Sequence, residues 1–129
     1  MAKAYKKYFT PNEANKRLPY VRKIIGEILE KGRIWQQEFD QSAEGEPSPE
    51  VLALQVDIEM LMGELEALGC FFKDWNFDVG LIDFPAKING QEVLMCWRSD
   101  EPEIRWYHPV EAGYAARQPI PEEMLKGLK

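Results

Sequence analysis

The sequence is poor in the residues from which metal clusters and disulfide frameworks are built. Its 129 residues contain two cysteines and one histidine, and no CxxC spacing joins Cys70 to Cys96. Zinc ribbons and dithiol redox sites need cysteines in closely spaced pairs. We therefore assign no metal ligand and expect no cofactor. Both cysteines are expected to be free thiols, as is usual in a reducing compartment.

Long apolar runs are also lacking. No stretch approaches the roughly 18 apolar residues that a bilayer span requires, and the start MAKAYKKYFT has no apolar signal segment. We therefore expect a cytoplasmic protein that neither crosses nor is anchored to a membrane. The content of 45% hydrophobic and 12% aromatic residues is typical of a globular chain, and the length predicts a single domain over residues 1–129.

Two long helices are predicted between residues 10 and 69. Thr10-Pro11-Asn12-Glu13 is a capping box with proline at the first helical position, and Pro19 is expected to kink the helix or shorten its first turn. Beyond the linker QSAEGEPSPE, Ser48-Pro49 begins a second helix and Gly69 ends it. An apolar stripe at alternating steps of three and four runs along that helix: Val51, Leu54, Ile58, Leu61, Leu65 and Leu68.

This stripe has two interpretations. Such a stripe most often packs into the core of its own domain, but it also suits a seam with a second subunit.

The two predicted helices differ in charge. Residues 1–40 hold nine basic and five acidic residues, whereas residues 41–78 hold one basic and nine acidic residues. A basic helix beside an acidic one explains this polarity without nucleic acid, and the formal net charge of -6 also disfavours a phosphate backbone. Binding of nucleic acid through the basic first helix would depend steeply on salt.

A β-hairpin is predicted for the stretch LIDFPAKINGQEVLMCW, residues 81–97. Asn89-Gly90 favours a type I′ turn, and the register counted from it pairs Asp83 with Cys96. If residues 99–102 form a four-residue loop, the next strand places Arg105 beside Cys96 and Trp106 on the apolar face. The segment CFFKDW is a candidate edge strand.

The predicted fold is α+β. An antiparallel two-helix hairpin, residues 10–69, packs on a three- to four-stranded antiparallel β-meander, residues 70–108. An irregular C-terminal segment with a short helix, residues 109–129, follows.

The polar face of the predicted sheet carries candidate binding residues. Asp83 and Arg105 flank Cys96, and opposite charges on neighbouring strands stabilise a sheet without any function. Arginines on an uncovered sheet face also bind carboxylate or phosphate. If the C-terminal segment folds back over this face, Arg117 would join Arg98 and Arg105 in an anion pocket.

His108 is expected at the end of the apolar face, away from Asp83 and Cys96. A lone histidine in such a place is more often a hydrogen-bonded structural residue than a ligand. The functional alternative recruits Glu111, with Asp83 or Cys96, as metal or acid–base partners. A nucleophilic pair of Cys96 with His108 needs a contact that this register denies. We therefore expect a buried, inert Cys96 and predict no catalytic residue.

Several segments of the chain resemble a known family. They are residues 81–97, Glu101–Ile104, WYH at 106–108, Gly113 and RQPI at 117–120. Together they resemble the bacterial family known as domain of unknown function 2203, from the segment FTPNEAN to RQPI. That family has no established activity. The resemblance therefore implies an intracellular bacterial protein and assigns no catalytic residue.

Besides nucleic-acid binding through the first helix, two functions remain open. The first is a non-enzymatic binding or assembly module, with a homo-oligomer or protein partner bound through the helices. The alternative is a protein that binds a small anion or a metal. Its candidate ligand-binding residues are Asp83, Arg98, Arg105, His108, Glu111 and Arg117.

Overall fold

Helices and an antiparallel sheet make up the part of the chain that the computed structural model describes, residues 5, 7–41, 48–73 and 77–125. The helices are α1 (Pro11–Lys16), α2 (Leu18–Gln41), α3 (Pro49–Leu68) and α4 (Glu122–Leu125). The strands are β1 (Phe71–Phe72), β2 (Leu81–Ile88), β3 (Gln91–Arg98), β4 (Trp106–Pro109) and β5 (Gln118–Pro119), and they lie in chain order in one sheet. The predicted α+β class is confirmed.

Local signals place the helix boundaries. The Thr10 hydroxyl accepts a hydrogen bond from the Glu13 amide, and the Glu13 carboxylate accepts one from the Thr10 amide, so the predicted capping box is present. The first helix ends at Lys16 and α2 begins two residues later, because Pro19 has no amide hydrogen for the turn between them. In α3, Ser48 caps the Val51 amide and Gly69 ends the helix at φ 101°. Residues 42–47 of the predicted linker lie outside the described residues.

The apolar stripe of α3 packs inside this chain. Its members Val51, Ile58, Leu61 and Leu65 are buried, and α3 lies against α2 and β1. Across the helical pair, the ammonium of Lys31 lies 3.6 Å from the carboxylate of Asp57, as expected for a basic helix beside an acidic one. The stripe that suggested a second subunit is therefore accounted for by the core of one chain.

The hairpin of β2 and β3 has the predicted register. Asn89 and Gly90 have positive φ angles of 54° and 79°, as a type I′ turn requires. Asp83 lies directly opposite Cys96, and each of the other pairs counted from the turn is also present. The predicted edge strand is confirmed in shortened form as β1, in which Phe71 pairs with Asp83. The residues Asp74 and Trp75 of that segment lie outside the described residues.

The predicted register of β4 is wrong by one residue. The connection runs over residues 99–105 instead of 99–102, and Cys96 pairs with Trp106 and Leu94 with His108. The cause is Ile104, whose amide donates to the Asn15 side chain at 2.8 Å and whose carbonyl accepts from it at 3.3 Å. Its backbone is thereby bound to α1 and cannot pair with β3.

This one-residue shift exchanges the two faces of β4, since side chains alternate along a strand. His108 joins Asp83 and Cys96 on the polar face, whereas the predicted register places it on the apolar face. Trp106, expected in the core, is 37% exposed. Arg105 precedes β4 and is not paired with Cys96.

The C-terminal segment packs against the rest of the described chain and is more regular than predicted. After a 3-10 helix at Tyr114–Ala116, β5 pairs with β4, and the amide of the buried Ile120 donates to the Arg105 carbonyl at 2.9 Å. Leu125 of the short helix α4 is buried as well. Among the described residues, no helix has the length and apolarity that crossing a membrane requires.

Candidate functional site

Asp83 and His108 meet across the sheet. They project from β2 and β4 on the same face, and the carboxylate Oδ1 of Asp83 lies 3.2 Å from Nε2 of His108, above the intervening strand β3. Asp83 is 3% exposed and His108 is 2% exposed, so they are the buried polar residues of the described chain. Burial of such groups costs free energy unless they are paired, and here each lies within hydrogen-bonding distance of the other.

The hydrogen bonds of the His108 ring restrict its protonation. Its Nδ1 lies 2.8 Å from the Pro109 carbonyl oxygen, which can only accept, so the Nδ1 hydrogen is directed there. In the neutral ring, Nε2 then carries a lone pair that faces the carboxylate of Asp83. A second proton or a cation between the two groups makes this contact favourable. The hydrogen bond with Asp83 accordingly raises the pKa of His108, although burial acts in the opposite direction.

Cys96 is the third member of this cluster. Its Sγ, the imidazole nitrogen of His108 and a carboxylate oxygen of Asp83 all lie within 4.8 Å of one another, and all three residues are buried. Burial, reinforced by the negative charge of Asp83, raises the pKa of the Cys96 thiol to about 12. Without a metal, Cys96 is therefore a protonated thiol near neutral pH and a poor nucleophile.

A pocket of about 230 Å³ lies over the three residues. Lys73, just after β1, is at its edge, with its ammonium 4.0 Å from Oδ2 of Asp83. Leu81, Leu94, Val110 and Ala112 supply apolar walls, and Gly113 and Tyr114 complete the lining. The buried cluster of Asp83, Cys96 and His108 therefore forms the floor of a small cavity.

The family model described as an uncharacterized conserved protein, DUF2203, matches residues 7–120. The chain belongs to this DUF2203 family. No curated protein and no solved structure matches it. The match includes the helical hairpin, the sheet and every residue of the cluster, and the family description assigns a role to none of them.

Two of the candidate arginines of this DUF2203 chain contact the roof of the pocket, which is the segment after β4 that contains Tyr114. Arg98 donates to the Tyr114 hydroxyl at 3.1 Å. The guanidinium of Arg117 lies over the rings of Tyr114 and Trp106, at 4.7 and 5.1 Å from their centroids, and donates to Glu101 at 2.6 Å. These contacts of the two arginines with other side chains of the chain position the roof over the sheet. Neither arginine is among the residues that line the pocket.

The other candidates lie elsewhere. Arg105 pairs with Glu103, its neighbour two residues away, and Glu111 is exposed. Neither is among the residues around the pocket. The structure therefore brings together Asp83 and His108 from the predicted set and separates them from Arg105 and Glu111.

Lys73 and Tyr114 are not among the site residues predicted from the sequence, and Cys96 is predicted to be inert. Lys73 follows the predicted edge strand, and continuing the antiparallel pairing of Phe72 with Ile82 places it next to Leu81 at the pocket. No comparable signal exists for Tyr114, which reaches the pocket from the 3-10 helix that follows β4. The prediction for Cys96 fails because the predicted register of β4, wrong by one residue, separates Cys96 from His108.

Proposed function

We propose that this DUF2203 protein binds a divalent transition metal, with Zn²⁺ as the first choice, through Asp83, Cys96 and His108. The observation that carries the proposal is the convergence of three buried donor atoms within 4.8 Å. Carboxylate, thiolate and imidazole bind zinc at about 2.0–2.3 Å, which places tetrahedral ligands about 3.3–3.5 Å apart. The carboxylate and imidazole are already 3.2 Å apart, so small side-chain movements would enclose an ion.

The orientation of His108 supports this proposal. A histidine that ligates a metal usually donates its other ring hydrogen to a carbonyl or carboxylate, which fixes the ligating nitrogen. The Pro109 carbonyl has that position here, and Nε2 is left facing the other donors. A metal between Nε2 and Asp83 would also replace the second proton that the contact otherwise requires.

Metal binding explains the cluster of Asp83, Cys96 and His108 better than nucleophilic catalysis does. A Cys–His nucleophile needs a thiolate, whereas burial and Asp83 raise the pKa of Cys96 to about 12. A cation reverses this effect, because a coordinating thiol is deprotonated by the metal. The competing expectation of assembly through the helices rested on the α3 stripe, which packs within the chain.

Metal titration tests the proposal. Chelator-treated protein should take up one Zn²⁺ per chain by mass spectrometry. Co²⁺ should give the near-ultraviolet absorption of a cobalt–thiolate bond and the strong visible bands of a tetrahedral site. Cys96→Ser should abolish the thiolate absorption. Cys70→Ser is the matched control, because Cys70 is also buried but belongs to the apolar core cluster, and it should leave the absorption intact.

The carboxylate ligand has its own test. Asp83→Asn keeps the size of the side chain and removes its charge, and should weaken Co²⁺ binding by at least about 100-fold. A folded wild-type protein that takes up no metal and shows no cobalt–thiolate absorption would contradict the proposal. The cluster would then be a hydrogen-bonded histidine–aspartate pair with a neighbouring thiol.

A further inference from the structure

We infer that the pocket takes a small carboxylate, which completes the coordination of the bound metal; this inference rests on the proposed metal site. Three protein donors leave at least one of the four positions of a tetrahedral Zn²⁺ for an outside ligand. Asp83, Cys96 and His108 lie at the floor of the pocket, so that position opens into the cavity. The cavity is where the outside ligand binds.

The charge of the pocket selects an anion. The two charges of the metal are balanced by the thiolate of Cys96 and the carboxylate of Asp83, and His108 is neutral as a ligand. Lys73 then leaves one positive charge, because Asp83 is the sole acidic residue among the described residues that line the pocket. Its ammonium lies 4.0 Å from Oδ2 of Asp83, close enough to bind an anion held by the metal.

The size and walls of the pocket select a short organic acid. A volume of about 230 Å³ corresponds to roughly seven to eight water molecules at 30 Å³ each. This volume holds a ligand of about six or seven non-hydrogen atoms. The apolar side chains of Leu81, Leu94 and Val110 suit a short hydrocarbon chain behind the carboxylate.

Butyrate is a suitable probe of this inference, with 1-butanol as its uncharged counterpart. Added to the Co²⁺-loaded protein, butyrate should change the visible cobalt bands and raise the melting temperature, and 1-butanol should do neither. At saturating Co²⁺, Lys73→Gln should weaken butyrate binding about tenfold, since it removes one charge-assisted contact. Lys87→Gln is the matched control, because Lys87 lies over the Tyr8 ring and outside the pocket lining, and it should have no effect.

The outcomes separate this inference from the metal proposal. If Co²⁺ gives its thiolate absorption and butyrate leaves the visible bands unchanged, the inference is wrong and the metal site stands. Equal butyrate affinity of the wild type and Lys73→Gln, or of the loaded and metal-free proteins, also overturns it. If no cobalt absorption develops before butyrate is added, the metal site has failed and the inference fails with it.

Discussion

The side chain of Asn15 binds both backbone polar groups of Ile104, which lies 89 positions later in the chain. Its oxygen accepts from the Ile104 amide and its nitrogen donates to the Ile104 carbonyl, while that nitrogen also donates to the Pro11 carbonyl. This contact keeps Ile104 out of the sheet and delays the start of β4 to Trp106. The position of His108 on the Asp83 face follows from it.

Asn15→Ala should therefore weaken both the fold and the site. The substitution leaves two partly buried backbone groups of Ile104 without their partner, which is expected to cost about 2–4 kcal/mol of unfolding free energy. Urea denaturation measures this loss, and Co²⁺ titration should show weaker metal binding, because β4 is less firmly held. Asn12→Ala, in the same helix, is the control. Equal stability of the two variants would show that the Ile104 contact does not position β4.

The elements that follow from neighbouring residues could be predicted from the sequence. The helix ends depend on Thr10, Ser48 and Gly69, each of which acts within a few positions of itself. The register of β2 with β3 depends on Asn89-Gly90 at the turn between them. In these cases the residue that determines a helix end or a strand register lies close to it in the sequence.

The candidate site depends on distant residues and could be predicted only in part. Asp83 and Cys96 were correctly paired, because one hairpin holds both. His108 was assigned to the wrong face, because the contact of Asn15 with Ile104 joins segments that no sequence pattern connects. An error of one residue in the predicted register of β4 was enough to place His108 on the face opposite to Asp83 and Cys96.

His108 should titrate above its usual pKa in the metal-free protein. Its hydrogen bond with Asp83 raises the pKa, and burial and the charge of Lys73 lower it, with a net rise above 6.5. Because the folded-state pKa is raised, the stabilisation from the pair is complete below the unfolded pKa and is lost as pH rises through the folded value. Since the chain has one histidine, its proton resonances follow this titration without overlap. Asp83→Asn should bring the pKa down, and an unchanged midpoint would contradict the assignment of its cause.

The two cysteines should be slow to react in the native protein and should respond differently to metal. Burial raises the pKa of each thiol to about 12, which leaves about one thiolate in ten thousand at pH 8. An aromatic disulfide reagent should therefore label both slowly until urea unfolds the chain. In Cys70→Ser, zinc should slow the labelling of Cys96 further. In Cys96→Ser, zinc should not change the labelling rate of Cys70, and protection of Cys70 as well would indicate general stabilisation of the fold.

Arg117 should hold the roof of the pocket through its shape as well as its charge. Its side chain is 9% exposed, pairs with Glu101 and contacts the rings of Trp106 and Tyr114. Lysine keeps the charge but lacks the planar guanidinium that contacts the two rings. Arg117→Lys should therefore lower the unfolding free energy by about 1–2 kcal/mol. Hydrogen exchange should become faster at the amides of residues 112–117. Arg105→Lys is the control, because Arg105 is half exposed and should show neither effect. Unchanged exchange in Arg117→Lys would mean that the ion pair with Glu101 alone holds the loop in place.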